Sequence, residues 1–339
     1  MSQSATSAAA TPVAVVGAGS WGTALALQFA RSGREVRLWG RDRAEMARMA
    51  AARENRKYLP GIPFPENLLV EVELATCIRS ATDILISVPS HGLRETLLQI
   101  KPMLAADARI CWATKGFELT TGKLPHQVVG EVLGDTRPLA VLSGPTFAKE
   151  VGAGLPTAMT IASPDSAIPA DLANGLTGDK FRAYTSSDMV GVEVGGAVKN
   201  VLAIGAGISD GLGFGANTRI ALINRGLVEM TRLGLALGAK QDTFMGLAGM
   251  GDLVLTCTDN LSRNRRMGLA LAAGKSIEEA QDEIQQVVEG VLAAKAVHEV
   301  AERLNVEMPI CQQIYRILYE GAPPREAVTA LMGRALKPE

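Results

Sequence analysis

The chemistry legible in this chain sits in three glycines, a few lysines and one run of arginines. Gly17, Gly19 and Gly22 stand in the stretch VAVVGAGSWGTALALQFA, residues 13–30. Four apolar residues precede them, and Leu25, Phe29 and Ala30 then repeat with helical spacing. That order reads as strand, tight turn and helix. At a dinucleotide site one glycine makes the turn, one lets the backbone approach a pyrophosphate, and one packs helix on strand. Unpaired amides and the positive helix end then face the anion. An ordinary glycine-rich turn is the competing reading, and the flanking strand and helix argue against it.

Lys199 is the second feature. It is the single cation in the apolar helical run 190–208, and Gly195, Gly196 and Ala203 share its face. Small neighbours leave room for another body, and a partly desolvated ammonium exchanges a proton near neutral pH. A lysine that snorkels to solvent is the alternative. Asp252, in GMGD, serves either as a helix N-cap or as a carboxylate that orients the ammonium or a substrate hydroxyl. Ser262 is positioned to cap a helix starting at Arg263, which gathers free amides and guanidinium donors at one point, as a phosphate requires. Of Arg263, Arg265 and Arg266, the first is read as the ligand and the other two as mostly solvated.

These groups need a scaffold. At 339 residues the chain accommodates two domains, and its 47% hydrophobic and 20% charged composition is that of a globular protein. A net charge of −1 gives no general attraction to nucleic acid or an anionic membrane. Residues 1–11 lack a basic start and an apolar core, so they read as a disordered tail rather than a leader. The apolar stretches read as too short for a stable membrane insertion. Cys77, Cys111, Cys257 and Cys311 are widely spaced and only three His are present, so no disulfide framework or metal site is expected, and a cytoplasmic location fits.

Strands are expected at 35–39, 83–88, 109–112, 139–142, 157–162 and 181–185, with a loop at 53–67. The alternation of strands and helices predicts an α/β Rossmann-type parallel sheet over 12–191. Helices at 190–208, 218–237, 277–304 and 309–319 predict an all-α domain over 192–339. Gly205 and Gly207, with Gly211, Gly213 and Gly215 beyond them, read as a helix end and a flexible connection. A doubly wound sheet binds at the carboxyl ends of its strands, where the Gly17 turn, Ser90-His91, Lys115 and residues 144–146 all fall. After the second strand, Arg41 favours the 2′-phosphate of NADP(H), with NAD(H) the alternative; Asp42 reads equally as an N-cap.

Together GAGSWGTALA, SVPSH, ATKG, SGPTFAKE, GGAVKN, GAGISDGLGFGAN, GMGDLVLTCTDNLSRNRR and QVVEG resemble the bacterial NAD(P)-dependent sn-glycerol-3-phosphate dehydrogenase family. The resemblance runs from residue 13 to the C-terminal region. It implies hydride transfer between a nicotinamide and dihydroxyacetone phosphate or sn-glycerol 3-phosphate, feeding phospholipid synthesis, in a homodimer. It makes Lys199 the proton donor and acceptor. It places Ser20, Trp21, Arg41, Lys115, Ala148, Arg263, Val287 and Glu289 at the cofactor. It places Lys115, Gly144, Thr146, Lys199, Asp252, Ser262, Arg263 and Asn264 at the substrate. On residue physics alone Glu289 is an ordinary helix-start acid. The rivals are a β-hydroxyacid dehydrogenase and a non-catalytic NADP(H)-binding redox sensor.

Overall fold

The computed structural model describes residues 12–79 and 81–333. The expected tail at 1–11 lies outside them. Among these residues the chain forms two compact units, the first drawn from 12–114, 126–142 and 146–187 and the second from 115–125, 143–145 and 188–333.

The first unit alternates β1 (Val13–Val16), α1 (Ser20–Arg31), β2 (Val36–Trp39), α2 (Arg43–Ala52), β3 (Leu68–Glu71), α3 (Leu74–Arg79), β4 (Asp83–Ile86), α4 (Leu93–Ile100), β5 (Arg109–Trp112), α5 (Pro125–Leu133), β6 (Leu139–Ser143), α6 (Ala148–Ala153), β7 (Thr157–Ala162), α7 (Ala167–Leu176) and β8 (Phe181–Ser186). The eight strands form one sheet in the order 3-2-1-4-5-6-7-8. β1 pairs in parallel with β2 and β4, and β4 with β5, so the order reverses beside β1. That reversal is the ligand-binding switch point of doubly wound sheets. β1 and β4 are buried on both faces, which is why they read as continuous apolar runs. β3 was not expected: it is a four-residue edge strand in which Leu68, Leu69 and Val70 are apolar but only Leu68 is buried, and its apolar run is short.

The second unit comprises α8 (Met189–Gly211), α9 (Ala216–Ala236), α10 (Gln241–Met245), a π turn at Leu247–Gly251, α11 (Asp252–Thr258), α12 (Arg263–Ala272), α13 (Ile277–Ile284), α14 (Glu289–Arg303), α15 (Pro309–Tyr319) and α16 (Pro324–Met332). α8 is its axis. Asp188 caps it by accepting from the Gly191 amide at 2.9 Å. By length and composition α8 suffices to cross a membrane, against the sequence expectation. Its apolar surface is explained otherwise, since 94% of the relevant window is buried inside the fold.

Two further expectations are corrected. Gly205 and Gly207 lie inside α8, which runs on to Gly211. A Cβ at Gly207 would stand 2.1 Å from the Arg265 carbonyl oxygen, and one at Gly268 2.0 Å from that of Ile204. These glycines let α8 and α12 touch backbone to backbone and are not a hinge. The helix expected over 277–304 is two helices, because Gln285 adopts the left-handed conformation that ends α13.

Candidate active site

The three glycines of the turn differ in their surroundings. Gly17 has φ +121°, and a Cβ there would lie 2.3 Å from the Ser87 carbonyl oxygen. A Cβ on Gly22 would lie 1.9 Å from the Gly17 carbonyl oxygen, so this glycine seats α1 on the turn. Gly19 is different: nothing lies within 4 Å of its Cβ position. It is the N-cap of α1 and offers no side-chain cap, so the first-turn amides of Ser20, Trp21 and Gly22 lack a partner among the described residues. The Trp21 indole Nε1 is also buried without a partner. An open glycine face, unpaired amides and an orphaned donor fit a dinucleotide phosphate.

Beyond β2, Asp42 caps α2, accepting from the Glu45 amide at 3.0 Å. Arg43 pairs with Glu73. Arg41 is exposed and has no ion pair among the described residues.

In the second unit, Lys199 and Asp252 are brought together. The first residue of α11, Asp252 is 1% exposed, and its carboxylate faces two ammoniums rather than capping the helix. Lys199 Nζ donates to Oδ1, and Lys115 Nζ donates to Oδ2 at 2.7 Å. Burial pushes the Lys199 ammonium down to about 8; Asp252 opposes that shift and Lys115 reinforces it. Burial alone would raise the Asp252 carboxyl, but the two ammoniums outweigh it and hold the group ionised, below its ordinary range. The room around Lys199 is filled by the chain itself. A Cβ on Gly195 would meet the Ala248 carbonyl oxygen at 2.4 Å, and one on Gly196 would meet the Lys115 stem and Ser143 Oγ at 3.4 Å.

Sequence reasoning missed Thr256. Its hydroxyl receives a hydrogen bond from Lys199 Nζ at 3.0 Å and donates to the Asp252 carbonyl at 2.6 Å. The spacing from Asp252 is i, i+4 on one helix, a signal that was available. Ser143 was missed as well: its hydroxyl is buried with no partner.

Ser262 caps α12 by accepting from the Arg265 amide at 3.2 Å. Arg263 is half-buried and makes no hydrogen bond or ion pair among the described residues. Arg265 corrects the sequence reading, being 8% exposed rather than solvated. It donates to the Cys257 carbonyl at 3.1 Å and pairs with Asp210 at 2.5 Å, which ties α12 to the end of α8. Arg266 is half-buried too, with its Nε enclosed and unpaired. Asn264 bridges three helices, donating to Asn200 Oδ1 and accepting from the Gly290 amide, both at 2.9 Å. Glu289 opens α14, and Val287 just before it is 48% exposed. Gly144 is buried with φ +147°, Thr146 is half-buried, and Ala148 opens α6.

A Rossmann-type parallel sheet in one unit and an all-helical second unit are the fold of a nicotinamide-dependent oxidoreductase. The chain belongs to the NAD-dependent glycerol-3-phosphate dehydrogenase family: the models of its N-terminus and C-terminus match residues 12–168 and 188–329. It is 55% identical over 331 residues to the glycerol-3-phosphate dehydrogenase [NAD(P)+] of Tolumonas auensis, covering 97% of this chain and 99% of that one. A Vibrio cholerae protein of the same name is 56% identical over 326 residues, covering 96% and 95%. The crystal structure of glycerol-3-phosphate dehydrogenase from Coxiella burnetii superposes with a TM-score of 0.93 at 50% identity, covering 96% and 99%.

Proposed function

We propose that this chain interconverts dihydroxyacetone phosphate and sn-glycerol 3-phosphate with a nicotinamide dinucleotide, using NADP(H) in preference to NAD(H). The observation that carries the reading is the buried Lys199 ammonium held on Asp252. When bound, the nicotinamide supplies a hydride to the ketone carbon or takes one from the alcohol. Lys199 gives a proton to the developing alkoxide oxygen, and takes it back in the reverse direction. A group near pH 8 is populated in both forms close to neutrality, which suits it to both directions. Asp252 and Thr256 hold the ammonium, and Lys115 adds positive charge beside the oxygen.

Gly17, Gly19, Gly22, Ser20 and Trp21 bind the dinucleotide, with Ala148, Val287 and Glu289 as further contacts. Arg41 sets the cofactor preference. The substrate phosphate falls to Arg263, with Ser262 and Asn264; Gly144 and Thr146 complete the substrate contacts. Phosphate binding then positions the carbonyl. The product supplies glycerol phosphate for phospholipid synthesis. Four free buried thiols fit a reducing, cytoplasmic compartment, and the working form is a homodimer.

The test is oxidation of NADPH in the presence of dihydroxyacetone phosphate or of unphosphorylated keto acids. Turnover confined to the phosphorylated ketone supports the reading, and turnover of the acids alone overturns it. Lys199→Met is expected to cost about 10²- to 10⁴-fold in turnover. Arg263→Ala is expected to raise KM for the ketone phosphate.

A further inference from the structure

Asn55 lies on the connection between α2 and β3 and is wholly buried. Its Nδ2 donates to the Ala18 carbonyl at 3.0 Å and to Thr23 Oγ1 at 2.7 Å. Its Oδ1 accepts from the Tyr58 amide at 3.1 Å. An amide side chain has two donor hydrogens and one carbonyl oxygen, and all three are engaged. So elaborate a set of bonds at one buried residue asks what it holds still.

Ala18 stands between Gly17 and Gly19. Its carbonyl and the Gly19 N–H belong to one peptide plane, and in a trans peptide the two point in opposite directions. Every described peptide bond is trans. Whatever grips the Ala18 oxygen therefore aims the Gly19 amide. The turn on either side is fixed by other contacts, with the Gly17 amide donating to the Trp39 carbonyl at 2.8 Å and Gly22 packed on the Gly17 carbonyl. The Ala18–Gly19 peptide plane has less support: the Thr23 amide holds the Gly19 carbonyl at 3.0 Å and Ala18 packs beside Gly40, but nothing packs near the Cβ position of Gly19, and a glycine does little to restrict its own backbone. The bond from Asn55 is the one made to the Ala18 carbonyl among the described residues.

We propose that Asn55 is a positioning residue for dinucleotide binding, which fixes the Ala18–Gly19 peptide so that the Gly19 amide faces the pyrophosphate. The proposal rests on the dinucleotide reading of the turn. Asn55 touches no ligand itself and acts through the peptide plane it holds. A residue that merely tied the connection to α1 would affect every ligand of the unit alike, whereas one that aims a single amide affects only ligands carrying the pyrophosphate.

Calorimetric titration of the full chain with NADPH and with adenosine 2′-phosphate, which has no pyrophosphate, separates the two. Asn55→Asp keeps the shape and replaces the donating nitrogen by an acceptor. It is expected to weaken NADPH binding about 10- to 100-fold and to leave the adenosine 2′-phosphate affinity within about 2-fold of the parent. Thr23→Val, which removes the other acceptor and keeps the bond to Ala18, is expected to retain the parental NADPH affinity. If Asn55→Asp fails to fold, Asn55→Ser is read in the same way. A folded Asn55 variant that binds NADPH like the parent, or that loses both ligands equally, overturns the proposal. Failure of the parent chain to bind either nucleotide overturns the dinucleotide reading instead.

Discussion

Lys199 and Asp252, 53 residues apart in the chain, are joined by a hydrogen bond in the interior of the second unit, and the ammonium is the more unsettled of the two. Burial works against its charge while the carboxylate supports it, so it rests at about 8 rather than at its ordinary 10.5. The proton it carries is accordingly easy to give.

The direction of the pH dependence follows. In the role proposed for Lys199, ketone reduction draws on its protonated form, so kcat/KM should be level below about pH 8 and fall above it, by about tenfold per unit. Alcohol oxidation needs the neutral amine and should rise toward the same midpoint. The midpoint belongs to the cluster of Lys199, Asp252 and Lys115 as a whole. Lys115 lowers Lys199 by like charge, so Lys115→Met should move the limb to higher pH while also weakening substrate capture. Initial-rate profiles in both directions check this, and a limb that stays in place removes Lys115 from the electrostatics of Lys199.

The proposed cofactor preference rests on one exposed side chain. Among the described residues Arg41 has no ion pair to hold it elsewhere, in contrast to Arg43, which is engaged by Glu73. Arg41→Ala should raise KM for NADPH by about 5- to 10-fold, a modest factor because the site is solvated, and leave KM for NADH nearly unchanged. Equal changes for the two dinucleotides would take Arg41 out of that role.

How far the sequence could be read depended on whether the cause was local. β1 and β4 announce themselves because burial on both faces forces an apolar run. The close packing at Gly17 and Gly22 follows from their spacing in a strand-turn-helix. The helix cap at Ser262 was legible for the same reason. By contrast, the guess that Arg265 is solvated failed because the phase of α12 against α8 is a tertiary fact, settled by the bond to Asp210. Lys115 stands at a strand end in the sequence, but nothing local reveals that its partner lies 137 residues away.

The glycines of residues 205–215 offer a test of that distinction, since they look alike in sequence and differ in space. Gly207→Ala drives a Cβ into the Arg265 backbone and should destabilise the chain by about 3 kcal/mol or more, because backbone cannot move aside as a side chain does. Gly215→Ala meets nothing within 4 Å at φ −79° and should cost about 1 kcal/mol or less, as the loss of a glycine cap. Urea unfolding of the two variants compares them directly. Equal costs would mean that α8 and α12 are not in backbone contact.

A second buried acid has a consequence for stability. Glu229, on α9, is 3% exposed and closes the start of α15 by accepting from the Ile310 amide at 2.7 Å and the Cys311 amide at 3.1 Å. Burial raises its carboxyl from 4.5 to about 7, although those amides and Arg232 pull the other way. In the unfolded chain the group titrates near its ordinary value, so between about pH 4.5 and 7 the folded state binds more protons than the unfolded one. The contribution to stability is therefore fully present below that window and lost as pH rises through it. The swing is on the order of 3 kcal/mol. Glu229→Gln is neutral at every pH and presents a donor to one of the two amides. It should lower stability at pH 5 and remove the slope between pH 5 and 7. Unfolding free energies measured across that range decide the matter, and an unchanged slope in the Gln variant would assign the titration to another group.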